Sequence, residues 1–426
     1  MTKMILAGLI FLFMYAMIVS EKVQRTVAAM MGGILMLLTG MLTTEQALAH
    51  IDFHTLGLLI GMMLIVTITS RTGLFSYVAI LAAQKAKAQP IRILVYLALL
   101  TAVFSAFLDN VTTVLFMVPV TFEITRRLEI DAMPYLLLEI LASNIGGTAT
   151  LIGDPPNIMI GSAVPALTFM MFIEHLAPIA LLNLAVVLLI FVLSYRKDLK
   201  ASTARRQKLL AMDAKAALQD TALLKKCLLV LLLVLACFFG HAFIGLETSV
   251  SALAGAFLLL FMVRSESQTE QALREIEWTT IFFFIGLFIA VGGLIETGII
   301  RQLAMEAMAA TGGDLSCTAL LVLWMSALVS AFLDNIPFVA TMIPLIRDMG
   351  AMGILHLEPV WWSLALGACL GGNGTIIGAS ANLIVAGLAR GQGQSISFLR
   401  YFRAGFPIML LTMLLSTLYV YWRYLG

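Results

Sequence analysis

The sequence predicts an all-α polytopic membrane protein assembled from two related halves of opposite topology. Of its 426 residues, 61% are hydrophobic and 12% are charged, and the mean hydropathy is +1.02. Apolar stretches of bilayer-spanning length recur along the whole chain. A polar tetrapeptide, Phe107–Asn110, returns 225 residues later as Phe332–Asn335. Because a soluble domain carries about 25% charged residues, this composition excludes a water-soluble globular protein.

Twelve apolar segments account for most of the chain. The first is interpreted as a retained span, because it runs into Glu21 and Lys22 without the small-residue cleavage site of a signal peptide. Four scattered cysteines and the lack of a His cluster predict neither a disulfide framework nor a metal site. The segments lie near residues 4–20, 23–42, 55–80, 93–125, 133–163, 173–195, 226–244, 248–263, 278–309, 318–346, 361–389 and 403–422.

The two halves keep a constant register. Gly146–Gly147 matches Gly371–Gly372, and Asn157 matches Asn382, each with the same offset of 225 residues. Chance similarity between apolar runs would not keep polar tetrapeptides and glycine pairs in step, so the pattern indicates an internal duplication. We predict a first repeat over 1–195, a linker over 196–226 and a second repeat over 227–426.

Each half contains two segments that a simple lipid-facing helix tolerates poorly. Asp-Asn lies in the middle of 93–125 and of 318–346, which we interpret as re-entrant hairpins with these residues at their tips. Glycine-rich stretches interrupt 133–163 and 361–389, which we interpret as discontinuous helices broken at 146–157 and 371–382. The fold then has about ten transmembrane helices, and an odd number of crossings per half inverts the second repeat.

The charge distribution predicts the orientation. The linker carries nine Lys and Arg against three Asp, so the positive-inside rule places it in the cytoplasm. In the resulting layout, 22 of the 26 Lys and Arg fall on that side. We therefore expect an inner (plasma) membrane protein with both termini outside.

The carboxylates of Asp109 and Asp334 are the first candidates for function, because a charge at membrane depth costs about 2.5–3.5 kcal/mol on insertion scales. The alternative is that each caps the half-helix that follows it. Asp154 has no acidic counterpart, since Ala379 occupies its position in the second half. It is a candidate for the coupling proton or a cation, with capping again as the alternative.

The helix breaks expose free carbonyl and amide groups that can bind a cation or a polar solute. Asn and Thr side chains add neutral donors and acceptors, whereas the glycines can equally serve close helix packing. Side chains of the expected site are Asp109, Asn110, Thr113, Asn144, Thr148, Thr150, Asp154, Asn157, Asp334, Asn335, Asn373, Thr375, Ser380 and Asn382. Backbone groups at the breaks come from Gly146, Gly147, Gly153, Gly371, Gly372 and Gly378.

Apart from Arg71, no Lys or Arg is expected near a break or a hairpin tip. Multivalent anions are normally bound by Arg or Lys. The core chemistry therefore favours a proton, a small cation or a small neutral solute.

Four motifs carry a family resemblance: FLDNVTTV at 107–114, GDPPN at 153–157, FLDNIPF at 332–338 and GGNGTIIGASAN at 371–382. They resemble the ArsB/NhaD permease family of the ion transporter superfamily, and in particular its P protein branch. The resemblance implies about ten spans with two hairpins, divided into scaffold and transport parts that move like an elevator. It also implies secondary active transport and dimers.

Proton-coupled efflux of arsenite or antimonite is the first expectation, because neutral As(OH)3 can be bound by Asn, Thr and backbone groups. Sodium/proton antiport on the same carboxylates is the alternative. A citrate-type anion carrier fits less well, since dicarboxylate carriers resemble this layout but have neutral Ser-Asn-Thr tips. A channel or a membrane enzyme would belong to another class; paired broken helices favour a carrier, and no His lies at a break.

The expected partners are few. We expect the lipid bilayer, a small ion or small neutral oxyacid as substrate, and no nucleic acid. No cofactor is expected beyond H⁺ or Na⁺ as coupling ion. A homodimer follows from the resemblance, and an arsenite carrier would also be a candidate to bind a soluble ATPase subunit.

The orientation can be tested with single cysteines at Ser202 and at the C-terminus in a cysteine-free background. An impermeant thiol reagent on intact cells should label the C-terminal cysteine, whereas the Ser202→Cys position should react only after permeabilisation. Labelling at position 202 alone would invert the predicted topology.

Overall fold

The computed structural model describes residues 2–20 and 22–426, and every regular element in these ranges is helical. Eight of the described helices are long and apolar enough to cross a membrane, and shorter apolar helices lie between them. The predicted all-α membrane fold is confirmed.

Ten helices form the first half, and the linker adds one short α-helix and a 3₁₀ turn at Ala214–Ala217. The helices are α1 Thr2–Ser20, α2 Arg25–Leu38, α3 Thr44–His50, α4 Phe53–Ser70, α5 Leu74–Lys85, α6 Pro90–Phe107, α7 Asn110–Leu128, α8 Met133–Thr148, α9 Pro155–Ala163, α10 Phe169–Tyr195 and, in the linker, α11 Thr203–Leu210.

Ten further helices follow in the same order, and each starts within a few residues of the position that the 225-residue offset predicts. They are α12 Thr221–Ile244, α13 Thr248–Val263, α14 Glu266–Arg274, α15 Trp278–Glu296, α16 Ile299–Thr311, α17 Leu315–Phe332, α18 Asn335–Ala351, α19 Glu358–Gly371, α20 Ser380–Gly391 and α21 Phe398–Val420. A single π turn, Tyr421–Leu425, ends the chain.

α6 and α7 form the first hairpin. Leu108 and Asp109 are extended, so the chain turns between the two helices. Both outer ends of the pair meet α11: Arg205 forms an ion pair with Glu129, and Arg206 donates to the Lys87 carbonyl at 3.0 Å. Because both ends of the pair contact one short helix, the chain reverses direction at Asp109.

α17 and α18 repeat this arrangement around an extended Leu333. Leu315, at the start of α17, packs against a cluster of Met349, near the end of α18, Ile354, just after it, and Ala304 of α16. Asp334 therefore lies at the turn of a second hairpin.

The discontinuous helices are α8–α9 and α19–α20. Their breaks span residues 149–154 and 372–379, which is shorter than the predicted 146–157 and 371–382. In the first break, α9 begins already at Pro155 because Pro155 and Pro156 occupy its first turn, where no intrahelical N–H is needed.

Two predicted spans are divided in the structure, and a third is shortened. Residues 55–80 and 278–309 each form two helices, because Gly73 (φ 78°) and Gly298 (φ 82°) adopt the left-handed conformation and end the helix before them. The segment 23–42 ends as a helix at Leu38, and α3 begins at Thr44 with Thr43 as its cap.

The helices pack as two groups. In the hairpin group (α6–α9 and α17–α20), α6 lies along α8, α17 lies along α19, and α8 contacts α19. In the frame group (α1–α4 and α12–α15), α2 lies along α15 and α4 along α13. Small residues permit these close approaches: a Cβ on Gly61 would lie 2.6 Å from the carbonyl carbon of Ala252.

The contact between α19 and α17 predicts a stability defect for Gly371→Ala. A Cβ at Gly371 would lie 2.6 Å from the Ala327 carbonyl oxygen, so the two helices must separate. We expect the free energy of unfolding in detergent to fall by about 1–3 kcal/mol. Gly387→Ala in α20 is the matched control, because a Cβ there meets nothing within 4 Å. Equal stability of the two variants would contradict the packing described.

Candidate functional site

The two hairpin tips and the breaks of α8–α9 and α19–α20 meet around a small cavity of about 30 Å³. A buried water needs about 10–15 Å³ of such volume, so the cavity has room for about two waters or one small ion. Its polar lining comes from both halves and from both helix groups. The lining residues are Arg25, Leu59, Met63, Asp109, Asn110, Val111, Asp154, Pro155, Glu277, Thr280, Asn335, Ile336 and Ser380.

Asp109 and Asp334 both cap the helices that follow them. The Asp109 carboxylate accepts from the Thr112 backbone N–H at 2.8 Å and from the Thr112 hydroxyl. The Asp334 carboxylate accepts from the Ile336 backbone N–H at 3.1 Å. Capping is therefore one role of each residue, and Asp109 still lines the cavity with its partly exposed side chain.

Arg25 corrects the expectation that no cation lies at the hairpin tips. Its Nη1 lies 2.9 Å from the Asp334 Oδ2 and also donates to the Ser380 hydroxyl. The Ser380 hydroxyl donates in turn to the same Asp334 oxygen at 3.2 Å. The sequence did not predict Arg25 as part of the site, but as the first residue of α2 it reaches Asp334 at the second hairpin tip.

Helix capping does not explain the buried carboxylate of Asp154. The residue precedes α9, but its side chain makes no capping hydrogen bond. Its Oδ1 accepts from the Asn335 Nδ2 at 3.5 Å, and its Oδ2 has no partner at hydrogen-bond distance within the described ranges although the residue is 1% exposed and the Cys369 thiol lies nearby. A buried carboxylate oxygen without a donor is stabilised by a proton, a cation or a water.

A chain of buried asparagines connects the two halves beside the cavity. Asn110 donates to the Asn144 Oδ1 at 3.1 Å, and the Asn144 amide donates to the Oδ1 atoms of Asn373 and Asn382 at 3.0 Å each. The Nδ2 of Asn373 has no partner among the described residues. This network therefore keeps one unpaired donor among the described residues, on an asparagine that does not line the cavity.

Asn157 and Asn382 support the breaks. The Asn157 Nδ2 donates to the Thr150 carbonyl at 2.8 Å and to the Thr148 carbonyl at 3.1 Å. The Asn382 Nδ2 donates to the carbonyls of Thr375 and Gly372 at 2.9 and 2.8 Å. These amides bind the free carbonyls that the sequence offered to a ligand.

The threonine hydroxyls at the breaks hold the hairpins. The Thr150 hydroxyl donates to the Ala106 carbonyl at the end of α6, and the Thr375 hydroxyl donates to the Ala331 carbonyl at the end of α17, at 2.5 Å. The Thr148 hydroxyl donates to the Asn144 carbonyl at 2.7 Å. Among the predicted threonines, the buried Thr113 has a hydroxyl without a partner in the described part of the chain.

The glycines at the breaks serve close packing. A Cβ on Gly153 would lie 2.6 Å from both the Gly147 and the Ser105 carbonyl oxygens. A Cβ on Gly378 would lie 2.8 Å from the Gly372 and the Ser330 carbonyl oxygens. Gly146 and Gly371 face Ala102 and Ala327 in the same way. These six glycines let the breaks approach the hairpin tips.

Sequence reasoning missed Glu277 and Glu139. Glu277 precedes α15 and lines the cavity, and Thr280 donates to its Oε2 at 3.0 Å. The register held the signal, because Asp52 and Thr55 occupy the matching positions and make the same contact at 2.6 Å. Glu139 is buried in α8, where Thr121 donates to its Oε1 at 2.5 Å. Its signal was a carboxylate within an apolar segment.

Comparisons with known proteins agree with this fold. A family model described as "Citrate transporter" (CitMHS) matches residues 15–367. The uncharacterized transporter Rv2684 of Mycobacterium tuberculosis is 40% identical over 99% of this chain and 98% of its own length. The P protein of Homo sapiens is 34% identical over 98% of this chain, which spans 60% of that protein.

Among solved structures, the YdaH transporter of Alcanivorax borkumensis matches with a TM-score of 0.57 over 88% of this chain and 87% of its own, at 14% identity. This likeness concerns the fold alone. The resemblance to the P protein is confirmed, and the family model that matches is the citrate transporter model, which does not show the ArsB/NhaD family specifically. The chain belongs to the citrate transporter (CitMHS) family and is a secondary membrane transporter.

Proposed function

We propose that this transporter exchanges sodium ions for protons at the cavity between the hairpin tips. The observation that carries the proposal is the charge of the lining: Asp109, Asp154 and Glu277 face the cavity, and its one guanidinium is already paired with Asp334. An excess of carboxylates around space for about two waters attracts a small cation and repels an anion.

Asp154 is the principal ion ligand in this proposal. Its free Oδ2 is buried, so a bound proton or a sodium ion provides the partner that it lacks. Carboxylate and amide oxygens are the ligands that hard cations prefer. Proton and sodium then compete for one oxygen, which is the requirement for exchange.

Arsenite efflux, the first expectation from the sequence, becomes the second candidate. As(OH)3 is neutral, so it avoids repulsion by the carboxylates, and the neutral Asn110 and Asn335 side chains of the lining supply contacts for it. Arg25 weakens the original argument, which rested on the lack of any cation near the site. The description of the matching family names citrate, and Arg25 with Ser380 is the set that would bind a carboxylate. The surplus of acidic groups argues against that substrate.

Location and assembly belong to the same proposal. We retain the plasma membrane with both termini outside, a cytoplasmic linker, a homodimer, and no cofactor beyond the coupling ion. A soluble ATPase subunit enters only if arsenite is the substrate.

The coupling role of the acids is tested by Asp109→Asn, Asp154→Asn and Asp334→Asn, which keep side-chain size but remove charge. In everted vesicles holding an acidic interior, sodium addition should release protons with the wild type. Each variant should lower this release, and Asp154→Asn should reduce it to the level of vesicles without the protein, because its carboxylate has no capping role. Full exchange in all three variants would contradict the proposal.

The matched control for these variants is Asp314→Asn. Asp314 caps α17 and accepts from the Cys317 backbone N–H at 2.8 Å. It is exposed and lies at the opposite end of α17 from Asp334. Its replacement should leave sodium-dependent proton release unchanged.

The substrate is tested by comparing sodium, arsenite and citrate side by side in the same vesicles under an imposed pH gradient. We expect sodium alone to dissipate the gradient. Cells that lack their own arsenic pumps should then gain sodium or lithium tolerance. Arsenite resistance without arsenate resistance would replace the proposal by arsenite efflux, and citrate-driven proton movement would replace it by carboxylate transport.

A further inference from the structure

Arg25 joins the two helix groups at the second hairpin tip. It begins α2 in the frame group, and its guanidinium lies 5.2 Å from the ring centroid of Phe283 on α15. Its Nη1 binds Asp334 at 2.9 Å and the Ser380 hydroxyl, both in the hairpin group. No other ion pair between described residues connects the frame group to a hairpin tip.

The ion pair separates two cavities. On one side lies the 30 Å³ cavity that contains Asp109 and Asp154. On the other side lies a cavity of about 190 Å³, which Arg25 and Asp334 line together with Val23, Gln24 and Ile377. Arg25 lines both cavities, so its side chain forms part of the wall between them.

The internal duplication does not repeat this contact. The register places Val250 at the position of Arg25, and no Lys or Arg forms an ion pair with Asp109 among the described residues. Another contact between the groups is uncharged on the hairpin side: the Ser162 hydroxyl on α9 donates to Asp52, before α4, at 2.8 Å. Among the described residues, an ion pair between the two helix groups is therefore found at the second hairpin tip and not at the first.

The Arg25–Asp334 ion pair is partly exposed to solvent, as expected for a contact that breaks and reforms. The side chains of Arg25 and Asp334 are 31% and 11% exposed, so water weakens their attraction without replacing it. An alternating-access carrier must break and reform its contacts between moving parts in every cycle. A fully buried pair would oppose that motion, because separating it leaves uncompensated charges.

We propose that Arg25 is the gate residue of this transporter: its pair with Asp334 closes the small cavity toward the 190 Å³ cavity and opens in each transport cycle. The proposal concerns the movement of the hairpin and holds for any of the candidate substrates. Arg25 acts by positioning the hairpin tip against the frame, and its opening admits the solute to Asp109 and Asp154.

The gate is tested by the reactivity of two cysteine reporters in a cysteine-free background. Ile336→Cys reports on the small cavity, and Ile377→Cys reports on the larger one. An impermeant methanethiosulfonate reagent is applied to right-side-out and everted vesicles. With Arg25 present, the residue 336 reporter should react slowly and the residue 377 reporter faster.

Arg25→Gln should raise the reaction rate of the residue 336 reporter about tenfold, the factor that corresponds to a loss of about 1.4 kcal/mol in closing free energy. The rate of the residue 377 reporter should not change. Asp334→Asn breaks the same pair from the hairpin side and should give the same result, which keeps the test valid if one variant fails to fold. Arg25→Lys retains the charge and should stay close to the wild-type rate.

The matched control is Arg71→Gln, which removes a part-exposed ion pair with Glu275 at 2.8 Å that lies away from both cavities. It should leave both reporters unchanged. An unchanged rate at residue 336 in both gate variants would overturn the proposal. An equal rise at residues 336 and 377 would also overturn it, since it would indicate general loosening of the fold.

Discussion

The cost of an unsatisfied polar group in a hydrocarbon environment governs this structure. Interrupting two helices and turning two hairpins exposes backbone groups that lipid cannot bind. The chain supplies a partner for them from within: Asn157 and Asn382 bind carbonyls of the breaks, and Thr150 and Thr375 bind the ends of the hairpin helices. The glycines then bring break and hairpin close enough for these bonds. Irregular backbone at membrane depth is thus held by side chains from its own group.

Duplication explains why this solution occurs twice. The supporting bonds come in pairs with one offset: Ser105 donates to the Ser143 carbonyl and Ser330 to the Ala368 carbonyl, each at 2.6 Å. What departs from the symmetry faces the cavity. Asp154 corresponds to Ala379, and Arg25 corresponds to Val250. The repeated residues build the breaks and hairpins and supply the acids Asp109 and Glu277 of the lining, and the unrepeated Asp154 and Arg25 add one further acid and one cation.

Arg25 changes the electrostatic argument about substrates. Because the predicted site contained no cation, binding an anion beside its carboxylates was expected to be costly. The Arg25 guanidinium lowers that electrostatic cost at the second hairpin tip. The charge is nevertheless neutralised by Asp334 in the observed conformation, so the cavity keeps the acidic character of Asp109, Asp154 and Glu277. The same pair that reduces the repulsion of anions also occupies the only described guanidinium in the lining.

The sequence alone determined the membrane fold, the duplication, the two hairpins and the two breaks, because hydrophobic length, Asp within apolar runs and glycine register are local properties of the chain. It also identified Asp154 from its missing counterpart. Only the tertiary structure decided which polar groups remain free. Arg25 meets Asp334 across 309 residues, and Asn144 meets Asn373 and Asn382 across 229 and 238. Which residues meet over such sequence separations depends on how the helices pack. The spacing of residues along the chain does not predict this packing.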